Sequence, residues 1–214
     1  MTITIVGASG QIARLLHPKL IEKGHSIRGI IRNPEQAKDL IKLGVNPIIA
    51  DVEQMDDISE PIGNADAVIF AAGAGPGSGA ARKWAMDRDG AIKLIEAAKK
   101  NRIKRYLMIS AMGLETPRGN EVFQAYQQAK AETDEALRNS DLDYTIVKPG
   151  RLTNDPGAGK ISIGKSLDRG EITREDVASV LAEVLEMPKA IGKEFDLLSG
   201  SQPIQKALED FLVS

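Results

Sequence analysis

The stretch Thr2-Ile3-Thr4-Ile5-Val6-Gly7-Ala8-Ser9-Gly10-Gln11-Ile12-Ala13 decides how the rest of the chain is read. Five β-branched residues run into a glycine turn, and from Ile12 onward Leu15, Leu16 and Leu20 recur at helical spacing. A buried strand, a tight turn and a helix therefore follow one another. Glycines at positions 7 and 10 let backbone N–H groups and the helix N-terminus close on a pyrophosphate, and the small Ala13 lets the helix pack on the strand. A strand before and a helix after are the context that this pattern requires. Gly7, Ala8, Ser9, Gly10, Gln11 and Ile12 are the candidate phosphate cradle. The alternative is a βα turn that is merely tight.

The same alternation continues outward. Strands are expected over residues 2–6, 26–31, 47–50, 67–72, 105–110, 144–148 and 194–197. Helices are expected over 11–23, 34–43, 55–62, 80–100, 121–140, 174–185 and 204–212, with Pro18 kinking the first or removing one of its hydrogen bonds. Apolar strands alternating with helices predict an α/β fold, a doubly wound and mostly parallel sheet of Rossmann type with helices on both faces. One domain over 1–214 is expected. Two segments break the rhythm. Residues 73–79 (GAGPGSG) form a glycine-rich loop at a strand's C-terminal end, where open α/β sheets bind ligands; the alternative is a flexible linker. Residues 149–170, rich in Gly and Pro, read as a lid or a small substrate-side excursion ending near 172, against a disordered crossover.

Composition narrows the chemistry. The 28 Lys+Arg and 30 Asp+Glu leave a formal charge of −2, which offers no electrostatic footprint for nucleic acid. No run approaches the ~20 apolar residues of a membrane span. The chain has no cysteine, which excludes disulfides, thiolate catalysis and Cys-ligated metals, and its two histidines cannot build a histidine-rich metal site. No metal is expected. The N-terminus carries no basic leader with a cleavage site, so a cytoplasmic protein with a small-molecule partner is expected.

The end of the second strand selects the nucleotide. An NAD site places Asp or Glu about 20 residues beyond the glycines to hold the ribose 2′-hydroxyl. Here the strand runs into Arg32-Asn33-Pro34 instead. A guanidinium matches a 2′-phosphate by charge and by its forked donors, so NADP is expected over NAD. A solvated surface charge is the alternative for Arg32. Asp51-Val52, at the end of the third strand, flanks an adenine or caps the next helix.

Three further residues fit hydride-transfer chemistry. Ser110 closes the fifth strand, and Tyr126 and Lys130, four apart, share a face of the next helix. An ammonium beside a phenol lowers the phenol pKa, which would let Tyr126 exchange a proton with a carbonyl or alcohol while Ser110 orients the same oxygen. In the bland alternative, Tyr126 only packs and Lys130 only binds cofactor.

Together the glycine turn, Asp51-Val52, Ala71-Ala72-Gly73, Ser110, the YQQAK of 126–130 and Lys148-Pro149-Gly150 resemble the short-chain dehydrogenase/reductase superfamily. Within it the chain is similar to the atypical short members named as epimerase/dehydratase or NAD(P)H-binding proteins, notably at Asp87-Arg88-Asp89-Gly90 and over 172–178. The resemblance spans essentially the whole chain. It implies that Gly7, Gly10, Gln11 and Ile12 cradle the pyrophosphate, that Arg32 meets the 2′-phosphate, and that Asp51 and Val52 meet the adenine. It also implies that Ala71, Ala72 and Gly73 line the ribose side, that Pro149, Gly150 and Leu152 approach the nicotinamide, and that Lys130 binds its ribose. The superfamily's active-site Asn is Asp87 here, an acid that can anchor water or backbone.

The expected function is an NADP-dependent oxidoreductase acting on a small carbonyl or alcohol, with Tyr126 as acid/base; the resemblance also leaves epimerase/dehydratase chemistry open. The rivals are a non-catalytic NADP sensor acting on a protein partner, and a flavin or quinone reductase without a protein acid/base. Bland roles are expected elsewhere. Trp84 walls the substrate pocket or packs, and the basic run Lys99, Lys100, Arg102, Lys104 and Arg105 stays solvated. His17 and His25 are structural or surface groups, Glu171 and Asp176 serve caps and surface pairs, and Arg151 or Arg174 is a candidate for an anionic substrate.

Overall fold

The structure is a computed structural model that describes residues 1–75 and 77–213; Pro76 of the glycine-rich loop and Ser214 lie outside the described residues. Its first half contains β1 (Thr2–Val6), α1 (Gln11–Glu22), β2 (Ser26–Ile31), α2 (Ala37–Lys42), β3 (Asn46–Ile49), α3 (Ser59–Ile62) and β4 (Ala67–Phe70). There follow α4 (Ala80–Arg82), a π-helix (Lys83–Gly90), α5 (Ala91–Lys100), β5 (Arg105–Ile109), α6 (Glu121–Arg138) and β6 (Asp143–Pro149). The chain closes with β7 (Arg151–Thr153), β8 (Lys160–Gly164), β9 (Glu171–Thr173), α7 (Arg174–Val184), β10 (Lys193–Ser199), β11 (Gln202–Pro203) and α8 (Ile204–Val213).

Among the described residues nine strands form one sheet in the order β11-β8-β10-β6-β5-β4-β1-β2-β3. The pairs from β3 through to β10 are parallel, and β8 runs antiparallel to both β10 and β11. This is the Rossmann-type doubly wound α/β sheet expected from the alternation. Winding leaves β1 toward β2 and β3, then returns to β4 on the other side. The switch point therefore opens above the C-terminal ends of β1 and β4, where such sheets bind ligands.

Alternate residues of each strand serve opposite faces. Ile3, Ile5, Ile69 and Leu107 pack with α1, α7 and α8, while Val68, Phe70, Tyr106 and Met108 pack with α3 and α5. Arg105 is the exception to the solvated reading of the basic run. Its guanidinium is part-buried and donates to the Val184 and Leu185 carbonyls at the C-terminus of α7 and to Asp143 and Thr145 across β6, and burial lowers its pKa to about 10. A cation there satisfies carbonyls that the helix leaves unpaired.

Several expectations need correcting. Pro18 needs no correction: helix α1 runs through it as one element at the expected loss of one hydrogen bond, and Arg14 and Pro18 are both exposed, so the carbonyl that proline cannot serve is left where water reaches it. The helix expected over 55–62 shrinks to α3, and that over 80–100 is interrupted by the π-turns of 83–90. The Gly/Pro-rich excursion is ordered: β7 and β9 pair with each other, and β8 joins the main sheet. Asp176 is buried rather than in a surface pair, accepting the Ala158 and Gly159 N–H groups while Glu175 accepts that of Gly157. Thr173 supplies the cap of α7. Among the described residues no helix is long and apolar enough to cross a membrane.

The turn after β1 is tight for a steric reason. Gly7 has φ +84°, and a Cβ there would stand 2.6 Å from the backbone Cα and N of Ala72. Gly7→Ala is expected to cost roughly 2 kcal/mol or more, because it meets both the wrong backbone region and a backbone that cannot yield. Urea unfolding checks this, and a variant as stable as the parent would refute the close approach.

Candidate cofactor and active site

The glycine turn brings backbone to the mouth of a cavity at the end of β1. Gly7 and Gly10 join in a turn through a 2.9 Å N–H···O bond, and Gly10 precedes α1 in extended conformation. The turn is held from behind. Ala8 is fully buried, its N–H donates to the Ile30 carbonyl, and its own carbonyl accepts from Nε2 of His17 at 2.7 Å. Burial lowers the His17 pKa and keeps the ring neutral. The side chain of Ala8 thus belongs to the core, and among the cradle residues Gly7, Ser9 and Gly10 line a cavity of about 310 Å³ above the strand ends.

Arg32, Asp51, Val52, Ala71, Ala72 and Gly73 line the same cavity. So do Glu53 and Arg82, which the sequence reading passed over. Glu53 is held between two guanidiniums: Arg32 Nη1 donates to its Oε1 at 3.0 Å, and Arg82 donates from Nε and Nη2 at 3.0–3.3 Å. The Glu53 hydrogen bonds raise the Arg82 pKa. Asp51 caps its own turn, its Oδ1 accepting the Glu53 N–H at 3.0 Å.

A second group of polar residues lies buried behind helix α6. Asp87, on the π-helix, accepts the Ala74 N–H at 3.2 Å, and its other oxygen stands 3.8 Å from Lys130 Nζ. Lys130 Nζ donates to the Ile109 carbonyl at 3.0 Å. Burial lowers the Lys130 pKa, while Asp87 and Asp134 act to raise it. The Ser110 hydroxyl donates to Asp134 Oδ2 at 2.7 Å, and Asp134 Oδ1 has no hydrogen-bond partner. Burial pushes the Asp134 carboxyl up to about 6. Asp134 lies four residues beyond Lys130, so the helical spacing that paired Tyr126 with Lys130 also carried the signal for it.

Tyr126 departs from the expected tuning. Burial, and then the negative charges of Asp87 and Asp134, raise its pKa. The ammonium of Lys130 is engaged by Asp87 and the Ile109 carbonyl instead of acting on the phenol. The ring of Tyr126 lines a groove with Lys83 and Phe123. Trp84 packs under the Arg88 guanidinium, 4.8 Å from it, and lines neither cavity. Pro149 is buried, Gly150 and Leu152 are half-buried, and a Cβ on Gly150 would meet the Gly170 carbonyl at 2.5 Å. Arg151 pairs with Glu171 on the surface, and the half-buried Arg174 donates to the exposed Asn154.

A family model described as NAD(P)H-binding matches residues 7–188. The chain belongs to this NAD(P)H-binding family. It is 38% identical over 212 residues to a Bacillus subtilis (strain 168) protein named "Uncharacterized sugar epimerase YhfK", covering 98% of this chain and 99% of that one. A solved structure, "Putative NAD-dependent epimerase/dehydratase from Bacillus halodurans", superposes with a TM-score of 0.93 at 40% identity and covers 98% of this chain and 99% of its own. A Veillonella parvula short-chain dehydrogenase/reductase solved in complex with NADP shares the fold, with a TM-score of 0.77 at 20% identity over 94% and 95% of the two chains. The family relation makes this an NAD(P)H-binding protein of the oxidoreductase and epimerase-like kind.

The buried carboxyl of Asp134 has a measurable consequence. Its pKa is raised on folding, so its protonated form favours the fold at low pH, and that advantage is lost as pH rises from about 4 through about 6. Asp134→Asn removes the titration. Its stability relative to the parent is expected to improve by up to about 3 kcal/mol between pH 4 and pH 7. Thermal unfolding across that range checks this, and a constant difference would mean that Asp134 does not titrate there.

Proposed function

We propose that the protein is an NADPH-dependent reductase of a carbonyl substrate, with Tyr126 as the proton donor. The observation that carries the proposal is the cavity above the strand ends, where a phosphate-sized backbone cradle at Gly7–Gly10 and two arginines from different elements face one space. A Cβ at Gly7 would press on the Ala72 backbone and one at Gly10 on the Gly7 carbonyl, so glycine keeps bare backbone at the cavity, and the residues present fit a dinucleotide. Arg32 and Arg82 would hold the 2′-phosphate, Asp51 and Val52 would flank the adenine, and Lys130, whose ammonium has donors beyond those given to Ile109 and Asp87, would hold the nicotinamide ribose. When bound, NADPH supplies hydride.

The chain's own residues supply the rest. A phenol whose pKa is raised stays protonated across the physiological range, which suits donation to a carbonyl oxygen becoming an alcohol better than proton removal from an alcohol. A second reading follows from Ser110, whose single proton is given to Asp134 and so is not free to orient a substrate oxygen. That supports quinone or flavin reduction, in which hydride transfer needs no protein acid.

Tyr126→Phe separates the two. It is expected to lower kcat for a ketone or aldehyde substrate by roughly 10²- to 10³-fold while NADPH binding stays intact. Unchanged turnover would transfer the assignment to the acid-free reading. For the nucleotide, Arg32→Asp is expected to weaken NADPH by about tenfold or more with little effect on NADH, read by fluorescence titration. An equal loss of both would remove the 2′-phosphate role.

A further inference from the structure

Arg82 and Lys83 are adjacent in sequence yet line different cavities. Arg82 faces the nucleotide cavity, whereas Lys83 enters a separate groove of about 580 Å³ between the glycine-rich loop and the first turns of α6. Tyr126 forms part of its wall. Phe123, one helical turn earlier, lies against Tyr126 with ring centroids 5.9 Å apart and planes inclined by 23°. The two rings are stacked, and Phe123, 50% exposed, supplies the accessible part of this aromatic platform. The platform is fixed at its base, because the Asn120 side chain accepts the Phe123 N–H and starts the helix there.

The groove has one sign of charge. Among its described lining residues Lys83 alone is ionised, and its Nζ sits 5.5 Å from the centre of the Tyr126 ring. That ammonium gives one hydrogen to the Gly75 carbonyl at 2.8 Å and has three to give. The glycine-rich loop contributes Gly77, Ser78 and Gly79 to the lining, and the Ser78 hydroxyl is turned to the Gly75 carbonyl, to which it donates at 2.9 Å.

We infer that this groove receives the acceptor substrate, and that the substrate is a flat, conjugated carbonyl compound carrying an anionic group. Its ring face lies on Phe123, its anion meets Lys83, and its carbonyl is directed toward Tyr126. Stacking on an exposed aromatic tolerates many ring systems, whereas the cation selects charge. This inference rests on the role of Tyr126 given above and names the substrate class of that same site.

Anthraquinone-2-carboxylate and its neutral counterpart 2-(hydroxymethyl)anthraquinone test it by calorimetric titration of the whole chain, with NADPH affinity measured in parallel. The carboxylate is expected to bind about tenfold more tightly than the alcohol. Lys83→Gln is expected to abolish that preference and Phe123→Ala to weaken both compounds, each variant keeping the parent's NADPH affinity. Equal binding of the two compounds, or a preference that survives Lys83→Gln, would overturn the inference. These titrations read binding alone, so they stand even if Tyr126→Phe shows that Tyr126 is not the proton donor, and loss of NADPH binding by the parent would count against the reductase reading separately.

Discussion

The site depends on how thin the first βα turn is where it crosses the end of β4. With a hydrogen at position 7, the turn lies against the backbone of Ala72; with any side chain, 2.6 Å of clearance would not suffice. Because the turn fits there, the ends of four strands open onto one cavity. β1 brings the cradle, β2 brings Arg32, β3 leads to Asp51 and Glu53, and β4 leads to Ala71 and Ala72. The His17 hydrogen bond to the Ala8 carbonyl fixes the same turn from the core side, so the cradle is rigid for reasons that lie behind it.

Behind α6 the chain concentrates charge where water is scarce. Isolated ions there would be expensive, and each is instead tied to a neighbour. Asp87 meets Lys130 and a backbone amide, and Asp134 accepts a hydrogen bond from the Ser110 hydroxyl. The arrangement has an electrostatic effect on Tyr126. Two carboxylates act on the phenol while the Lys130 ammonium is already engaged, so the hydroxyl keeps its proton. A superfamily pattern of Tyr and Lys four apart thus sits in surroundings that change what the tyrosine can do.

The parallel strands and the tight glycine turn were legible because both follow from local patterns, alternation of apolar runs with helices and glycines placed between them. The excursion was not. Strands β7, β8 and β9 are three to five residues long and lie among Gly and Pro, and their pairing is fixed by partners as distant as Leu198 and Ser199. The π-helix escaped for a related reason, since residues 80–100 read as one continuous helical run. At the site, residues on a strand end or a motif were found, while Glu53 and Arg82 were not. They meet across 29 positions of sequence, and nothing local at either marks the other. Arg105 was misread because a basic run resembles a solvated one until the α7 carbonyls come to meet it.

Proline marks both margins of the nine-stranded sheet. β11 ends in Pro203 beside β8, and at the far border β3 contains Pro47. Neither rim offers an uninterrupted ladder of amide hydrogens, so a neighbouring polypeptide has no template on which to add itself.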